Sequence, residues 1–279
     1  MVKNVDYTYP NGTSALKNIN LSINKGELVA IMGKNGAGKT TLIRTLNGLN
    51  RPASGDIFIN KENIKSKSIA NLSKYVGIIF QNPSHQLFAN SVEDEIQFSL
   101  KNLNLSDEEI VLKTKKILED FNLEKYRERS PLNLSGGESK KLAIASIICR
   151  DTDILVFDEP TIGQDAREIE YFIKLINNER LKEKTIIIIT HNIEFTFEHI
   201  PRTILMADGR IIADGPTEDV LRSNLLVEKS SLVLPQTQQL SYALSELGLG
   251  DPSNLTTKED IITYLMNILK RKASTLKEE

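Results

Sequence analysis

The sequence predicts an α/β fold with an all-helical lobe inserted into it and a small helical region at its carboxyl end. Three observations lead to this prediction. Short apolar runs bounded by glycines or turns are typical of buried strands, and a glycine-rich loop joins one of them directly to a helix. Residues 91–133 show helical periodicity without an obvious strand. From about residue 225 onward the pattern is again helical.

The amino-terminal region predicts two strands ahead of the glycine-rich loop. Residues 2–9 alternate weakly, like a strand near a sheet edge, and residues 16–23 alternate again. Tyr7 and Tyr9 lie on one face of the first strand. Tyr9 can stack on an adenine ring, although ordinary strand packing explains an aromatic residue at this position equally well.

Residues 33–40 match G-x-x-x-x-G-K-[ST], the pattern of a phosphate-binding loop. A buried strand at residues 27–32 precedes the loop, and a helix follows it until about Gly48. The glycines let backbone N–H groups point at phosphate oxygens, and the new helix adds its positive end. The lysine can reach the β- and γ-phosphates, and the threonine hydroxyl can hold Mg²⁺. A chance match is the alternative, which this strand–helix setting makes rare. The candidate nucleotide-binding residues here are Gly33, Lys34, Asn35, Gly36, Ala37, Gly38, Lys39, Thr40 and Thr41.

Two further strands are predicted, at residues 55–59 and 75–80. Gln81 stands at the end of the second strand, where its side chain can reach a metal-bound water, or it is simply a polar loop residue. His85 has no second histidine or cysteine nearby, and it is interpreted as a surface histidine rather than a metal ligand.

The helical lobe extends from about residue 90 to residue 150. Residues 106–109 form a capping box that opens one helix, and Ser135 with Glu138 opens another. Gly136 and Gly137 leave backbone N–H groups bare at this second helix start, which makes it a candidate second anion site. The capping role does not exclude the binding role.

Two carboxylates and a histidine follow buried strands. The apolar strand at residues 154–159 ends in Asp158 and Glu159, and His191 follows the strand at residues 185–190. A charge near a core must be paired or bind a metal, and α/β folds place ligands at the carboxyl ends of parallel strands. Asp158 suits Mg²⁺ coordination, Glu159 suits polarising an attacking water, and His191 can contact a γ-phosphate. A solvated strand end, and a packing or capping role for His191, are the alternatives.

The composition excludes several classes of protein. The 279 residues carry a net charge of −2 and a pI of about 6.1, which gives no electrostatic case for nucleic acid as the main partner. Cys149 is the only cysteine, so neither a disulfide framework nor a cysteine metal site is expected. The start lacks the apolar core of a signal peptide, and the most apolar run, residues 186–189, is too short to span a bilayer. A soluble, cytoplasmic protein is expected.

The carboxyl-terminal region predicts two helices. One has an apolar face between Leu240 and Leu247, and the other runs from about residue 256 to a basic end at residues 270–272, which favours the helix dipole. We therefore expect residues 1–224 to form the main domain and residues 225–279 to form a small appended helical domain.

Taken together, these motifs make the chain resemble an ABC-type ATPase, the nucleotide-binding subunit of a transporter, over residues 2–219. The resemblance implies a P-loop NTPase fold of ABC type, with a mixed sheet core, an antiparallel β lobe and an inserted helical lobe. It implies ATP and Mg²⁺ as cofactors, with Thr40, Gln81 and Asp158 at the metal and Tyr9 on the adenine. The motifs, in the order typical of that family, are the phosphate loop, Gln81, the signature at residues 134–138, Asp158 with Glu159, Asp165 of the D-loop, and His191.

The resemblance also implies an assembly. Two such subunits close head to tail around two ATP molecules, and Ser135, Gly136, Gly137 and Glu138 of one subunit complete the site of the other. Closure positions water near Glu159 while His191 contacts the γ-phosphate.

A finer similarity, carried by residues 7–10, 80–88 and 234–237, is to the energy-coupling-factor group of vitamin and transition-metal uptake. In that group residues 81–88 grip a coupling helix of a transmembrane subunit, a separate membrane subunit binds the substrate, and the tail domain helps the ATPases dimerise. The resemblance thus implies a homodimer, or a heterodimer with a related ATPase, on the cytoplasmic face of the cell membrane.

The chain departs from the family pattern at Glu138, where Gln is usual, at Gln164, where Leu is usual, and at Lys141, where Arg is common. None of these changes removes a catalytic group, so hydrolysis is expected.

Two other functions stay open. One is the same ATPase in a ribosome- or DNA-associated role. Proteins with that role typically carry tandem cassettes or long coiled-coil insertions, and this chain has neither. The other is a subunit that binds ATP without hydrolysing it, against which Glu159 and His191 argue.

Overall fold

The computed structural model describes residues 1–83, 86–232, 239–240, 243–244, 246–249 and 258–275. The strands are β1 (Val2–Thr8), β2 (Ser14–Leu21), β3 (Leu28–Met32), β4 (Ser54–Ile59), β5 (Glu62–Asn63), β6 (Val76–Ile79), β7 (Ile154–Asp158), β8 (Thr185–Ile189), β9 (Arg202–Ala207) and β10 (Arg210–Pro216). The helices are α1 (Lys39–Leu46), α2 (Ile69–Leu72), α3 (Val92–Leu100), α4 (Asp107–Asp120), α5 (Gly136–Ile148), α6 (Ala166–Leu181), α7 (Ile193–His199), α8 (Thr217–Arg222), α9 (Asn224–Lys229) and α10 (Lys258–Thr275). Short 3₁₀ helices cover Glu124–Tyr126 and Pro131–Asn133.

A mixed six-stranded sheet forms the centre of the fold. Its order is β10-β9-β3-β8-β7-β6, and all neighbours are parallel except the β9–β10 hairpin. Every residue of β3, β6 and β8 is buried, as expected for parallel strands that are covered on both faces. The phosphate loop, Asp158 and His191 therefore follow three strands, β3, β7 and β8, that lie side by side and end at the same edge.

A second, antiparallel sheet has the order β2-β1-β4-β5. The expectation that residues 2–9 lie near a sheet edge is wrong, because β1 pairs on one side with β2 and on the other with β4. Its alternation is weak for a different reason. The register shifts along both pairings, and Asn4 has a positive φ of 49°, so the side chains do not alternate regularly between two faces.

The inserted lobe is helical throughout, as predicted, since residues 92–148 contain helices and no strand. Both capping boxes are present: Ser106 caps α4 with Glu109, and Ser135 caps α5 with Glu138. Together the mixed sheet, the antiparallel sheet and the helical lobe confirm the predicted fold class.

The chain divides into two compact units, Met1–Ser231 and Leu232–Glu279. The first unit includes α9, so this division lies a few residues after the boundary predicted between 224 and 225. In the second unit, the Tyr264 hydroxyl on α10 donates a hydrogen bond to the Leu249 carbonyl at 2.8 Å. Residues 234–237 and much of the predicted helix at 240–247 lie outside the described residues.

Candidate nucleotide-binding and hydrolysis site

The phosphate loop joins β3 to α1, and its glycines are required by both backbone conformation and space. Gly33, Gly36 and Gly38 have φ values of 143°, 83° and 103°. A Cβ at Gly33 would lie 2.2 Å from the Met206 carbonyl oxygen, and one at Gly38 would lie 2.6 Å from that of Ala15. The loop thus keeps a curved path in which larger residues would clash, with the amino end of α1 directly behind it.

Lys39 lies inside the curve of this loop. Its side chain is buried, and its ammonium donates hydrogen bonds to the carbonyl oxygens of Gly33 at 2.6 Å and Lys34 at 3.1 Å. Burial lowers the pKa of Lys39, while Glu159 and Asp158 act in the opposite direction. These contacts hold a positive charge where the loop would receive the β- and γ-phosphates of a nucleotide.

The other loop residues divide into exposed and buried positions. Lys34, Asn35 and Gly36 are exposed, whereas Ala37 and Thr41 are buried. The loop therefore has an exposed tip, and its buried positions anchor it to the core.

Oxygen donors suited to Mg²⁺ meet beside the loop. The Thr40 hydroxyl on α1 donates to Asp158 Oδ2 at the end of β7, at 3.4 Å. Burial raises the pKa of Asp158, and the neighbouring Glu159 raises it further. Mg²⁺ is usually held by one or two protein oxygens together with phosphate oxygens and water, and this hydroxyl–carboxylate pair fits that pattern. Within the described residues, no cluster of three or more histidine, cysteine, aspartate or glutamate side chains could hold a metal by itself.

Gln81 follows β6, which lies next to β7 at the edge of the mixed sheet, and it is exposed. His85 lies outside the described residues, so the structure gives no account of it.

Glu159 is held in an unusual backbone conformation at the end of β7. Its φ is 50°, a left-handed value that costs free energy for a residue with a side chain. The Glu159 N–H donates to the Ile189 carbonyl at 2.8 Å, so β8 fixes this turn. Glu159 Oε1 lies 2.8 Å from His191 Nδ1, while Oε2 is buried without a hydrogen-bond partner. The pair brings together two residues that the sequence placed separately, and it leaves one buried carboxylate oxygen without a hydrogen bond from the protein.

Tyr9 stands just beyond β1 and contacts the start of α1. Its hydroxyl lies 2.8 Å from Thr41 Oγ1, and its ring meets the ring of Tyr7 edge to face at a centroid distance of 5.0 Å. Tyr9 is half-buried, so one part of its ring packs and another part stays accessible. The structure thus supports the packing role of Tyr9 and is compatible with base stacking.

Replacing Tyr9 separates these two roles. Stacking of a base on an aromatic ring contributes about 1–3 kcal/mol, so Tyr9→Ala is expected to weaken ATP binding by roughly 5- to 150-fold. Tyr9→Phe keeps the ring and loses only the hydrogen bond to Thr41, so its affinity should stay within about threefold of wild type. Titration calorimetry with ATP checks both variants, and equal affinities for the alanine and phenylalanine variants would contradict stacking.

The signature residues lie at the start of α5. Ser135 is the N-cap: its N–H donates to Glu138 Oε2 at 2.8 Å, and its hydroxyl accepts from the Glu138 N–H at 3.4 Å. Ser135 and Gly136 are exposed, and Gly137 is half-buried. Among the described residues, the hydrogen bonds of this helix start stay within the helical lobe and do not reach the phosphate loop. The second anion site is therefore separate from the first within one chain.

Hydrogen bonds from the Tyr126 hydroxyl and from Ser135 lower the pKa of Glu138 to about 2. Because this value lies below the ordinary 4.5, the carboxylate stabilises the fold fully above pH 4.5, and the contribution is lost as the pH falls towards 2. Wild type should therefore lose more thermal stability than Glu138→Gln between pH 5 and pH 3. Calorimetric unfolding at the two pH values checks this, and parallel losses in the two proteins would contradict it.

Sequence reasoning missed two residues that tie the segment after β6 to the helical lobe. Gln86 Nε2 donates to the Ala143 carbonyl on α5 at 2.7 Å. The buried carboxylate of Glu95 on α3 accepts from the N–H groups of Phe88 and Ala89, both at 2.9 Å. The signal for Glu95 was available, because it falls on the buried face of α3 among apolar residues.

The chain matches the ABC transporter family over residues 16–162. A putative ABC transporter ATP-binding protein of Methanosarcina mazei is 41% identical over 89% of this chain, but the match covers only 42% of that relative, so the chain spans less than half of its length. The energy-coupling factor transporter ATP-binding protein EcfA of Methanothermobacter thermautotrophicus is 35% identical over 92% of this chain and 84% of its own length.

A solved structure agrees with these relatives. CbiO1 of Clostridium perfringens, part of the ABC transporter complex CbiONQ, superposes with a TM-score of 0.72 and is 34% identical. The match covers 86% of this chain and 96% of that one. The resemblance inferred from the motifs is confirmed: the chain belongs to the ABC transporter family, in the group of energy-coupling factor ATP-binding proteins.

Proposed function

We propose that this protein is the ATP-binding and ATP-hydrolysing subunit of an energy-coupling-factor transporter. The observation that carries the proposal is the grouping of Lys39, the Thr40–Asp158 pair and the Glu159–His191 pair at one edge of the mixed sheet. A lysine for the phosphates, oxygens for Mg²⁺ and a carboxylate for water are the parts that phosphoryl transfer to water requires. The likeness to EcfA and CbiO1 supports the same function.

The phosphate loop binds the nucleotide in this proposal. Backbone N–H groups at Gly36 and Gly38, together with those at the start of α1, donate hydrogen bonds to the phosphate oxygens. The Lys39 ammonium exchanges its hydrogen bonds to the loop carbonyls for hydrogen bonds to the same oxygens. Tyr9 packs against the adenine. Thr40 and Asp158, and Gln81 through a water molecule, would hold Mg²⁺, which would supply positive charge beside the phosphates.

Glu159 and His191 carry the hydrolytic step. The unpartnered Oε2 of Glu159 accepts a hydrogen bond from the attacking water and orients it, while Oε1 stays with His191 Nδ1. His191 is half-exposed, so its other ring nitrogen is free to turn towards the γ-phosphate. Glu159 directly follows β7, and His191 comes just after β8. Because the two strands hold these residues in place, the pair positions the water without a change in the backbone.

A second subunit completes each site. The helix start at residues 135–138 does not reach the phosphate loop of its own chain. The capping box uses the N–H groups of Ser135 and Glu138, which leaves those of Gly136 and Gly137 for the nucleotide of a partner. The partner is a second copy of this chain or a related ATPase. The appended helical domain, residues 225–279, assists this dimerisation.

Membrane subunits supply the route for the cargo. Within the part of the chain that the structure describes, no helix is long and apolar enough to cross a bilayer. A transmembrane coupling subunit docks near residues 81–88, where Phe88 is 65% exposed and meets Phe98 edge to face. A separate membrane subunit binds the cargo, a vitamin or transition-metal ion. The protein therefore works on the cytoplasmic face of the cell membrane, and nucleic acid is not its partner.

Copurification tests the assembly. Purification of the tagged chain from its own membranes in mild detergent should recover small membrane subunits in fixed ratio, and ATPase activity per molecule should fall on dilution as the dimer separates. Recovery of ribosomes or DNA in place of membrane proteins would favour a non-transport role. Activity that is independent of dilution would contradict the shared sites.

A further inference from the structure

Lys140 lies on α5, two residues after the signature, and it contacts the segment that follows Glu159. Its ammonium donates to the Pro160 carbonyl at 2.5 Å and lies 3.4 Å from the Ile162 carbonyl. Neither carbonyl belongs to a helix or strand. A half-buried lysine of the helical lobe therefore donates hydrogen bonds to the loop that follows β7 of the mixed sheet.

This loop carries backbone strain close to the proposed hydrolytic carboxylate. Glu159 has a φ of 50°, which costs free energy for a residue with a side chain, whereas Gly163 adopts its φ of 69° without strain. The loop makes only long internal backbone hydrogen bonds, from Ile162 to Glu159 at 3.4 Å and from Gln164 to Thr161 at 3.3 Å. A strained turn persists only where its surroundings determine it, and Lys140 provides such an external contact.

The start of α5 also lies close to the Glu168 side chain at the start of α6. A Cβ at Gly137 would lie 2.9 Å from Glu168 Oε1, and Glu168 forms a capping box with Asp165. Glu168 also acts on Lys140 electrostatically, although burial outweighs it and lowers the pKa of Lys140. A charged group that loses hydration in this way is compensated by its hydrogen bonds to the two carbonyls.

We propose that Lys140 is a positioning residue, which fixes the segment 159–163 and so holds the Glu159 carboxylate in line for its water. The inference rests on the proposed function, and it adds a direct link between the signature helix and the hydrolytic carboxylate of the same chain. A signature bound to the partner's nucleotide thereby stabilises the geometry of its own Glu159. Neither Lys39 nor the phosphate loop takes part in this link.

The test compares steady-state ATP hydrolysis of wild type, Lys140→Met, Lys140→Gln and Lys140→Arg. Methionine keeps the length of the side chain without charge or donor, so kcat should fall about tenfold or more, as a displaced reacting group does. The ATP concentration at half-maximal rate should stay within about twofold, since nucleotide binding uses other residues. Arginine should restore most of the rate, and glutamine, with one neutral donor, should be intermediate.

Lys141→Met is the matched control. Lys141 is the next residue on α5, and its ammonium lies 5.6 Å from the centre of the Tyr171 ring. Its removal should leave kcat within about twofold of wild type. Thermal unfolding of every variant identifies any that do not fold. If Lys140→Met does not fold, the inference is tested by whether kcat of Lys140→Arg exceeds that of Lys140→Gln.

Two outcomes would overturn the inference. One is wild-type kcat in Lys140→Met. The other is an equal loss in kcat and in ATP affinity, because general damage to the site moves both. Wild type and Glu159→Gln, assayed beside these variants, test the proposed function separately: an inactive wild type, or an active Glu159→Gln, would overturn the proposed function and the inference with it. An active wild type, an inactive Glu159→Gln and an unchanged Lys140→Met would overturn the inference alone.

Discussion

Glu159→Gln is expected to bind ATP as wild type does and to lose nearly all turnover. Glutamine has the same shape, and its amide can still meet His191, so the site stays assembled. It cannot accept a proton from water as a carboxylate can, and loss of a general base lowers rates by about 10²- to 10⁴-fold. Single-turnover hydrolysis of ATP measures this loss directly.

The same variant should accumulate as a closed dimer. If hydrolysis opens the two subunits, a dimer that binds ATP without hydrolysing it stays closed. Light scattering after gel filtration with ATP should therefore show twice the mass of the ATP-free variant. Glu159→Asp is the control: it keeps a carboxylate on a shorter side chain, and it should retain more activity than the glutamine variant. Undiminished turnover in Glu159→Gln would exclude this residue as the hydrolytic carboxylate.

Lys39→Ala is expected to lose most ATP affinity. The ammonium is buried and hydrogen-bonded inside the phosphate loop, and loss of one partner of a buried charge pair costs about 2–5 kcal/mol. That cost corresponds to a decrease in affinity of at least ~30-fold. The variant also leaves the Gly33 and Lys34 carbonyls without their donor, so the loop itself becomes less ordered.

Lys34→Ala is the matched control for this prediction. Lys34 belongs to the same loop, but its ammonium lies outside the curve, 3.5 Å from Asp208, and it is 42% exposed. Its side chain forms only this exposed ion pair, so affinity should change by less than about threefold. Titration calorimetry of both variants with ATP compares them. Equal affinities of Lys39→Ala and wild type would contradict the role of the loop.

The parts of the site that sequence reasoning predicted well are those whose determinants are local. The phosphate loop needs glycines and a lysine at fixed spacing, and the spacing alone placed Lys39 where the loop after β3 meets the start of α1. The capping box at Ser135 likewise depends on residues three apart. The order of the strands also brought Asp158 and His191 to the same edge, since parallel strands end together.

Contacts that depend on how distant segments pack could not be predicted from the sequence. The edge position expected for β1 was wrong because strand neighbours are chosen across long separations, here by pairing with β4. The left-handed backbone of Glu159 is set by its hydrogen bond to Ile189 on the neighbouring strand. In the sequence, nothing distinguishes Lys140 from other lysines on helices. Its hydrogen bond to the Pro160 carbonyl, twenty residues away, depends on how α5 packs.

The sequence by itself determined the chemical groups of this protein and the local turns that present them: a lysine in a phosphate loop, two carboxylates, a histidine and a capped helix start. Only the tertiary structure decided which of these groups meet. It paired Glu159 with His191, aligned Thr40 with Asp158 and kept the signature away from its own phosphate loop. The physical reason is range: dihedral preferences and capping bonds act over a few residues, whereas the distances between strands and helices come from burying a shared core.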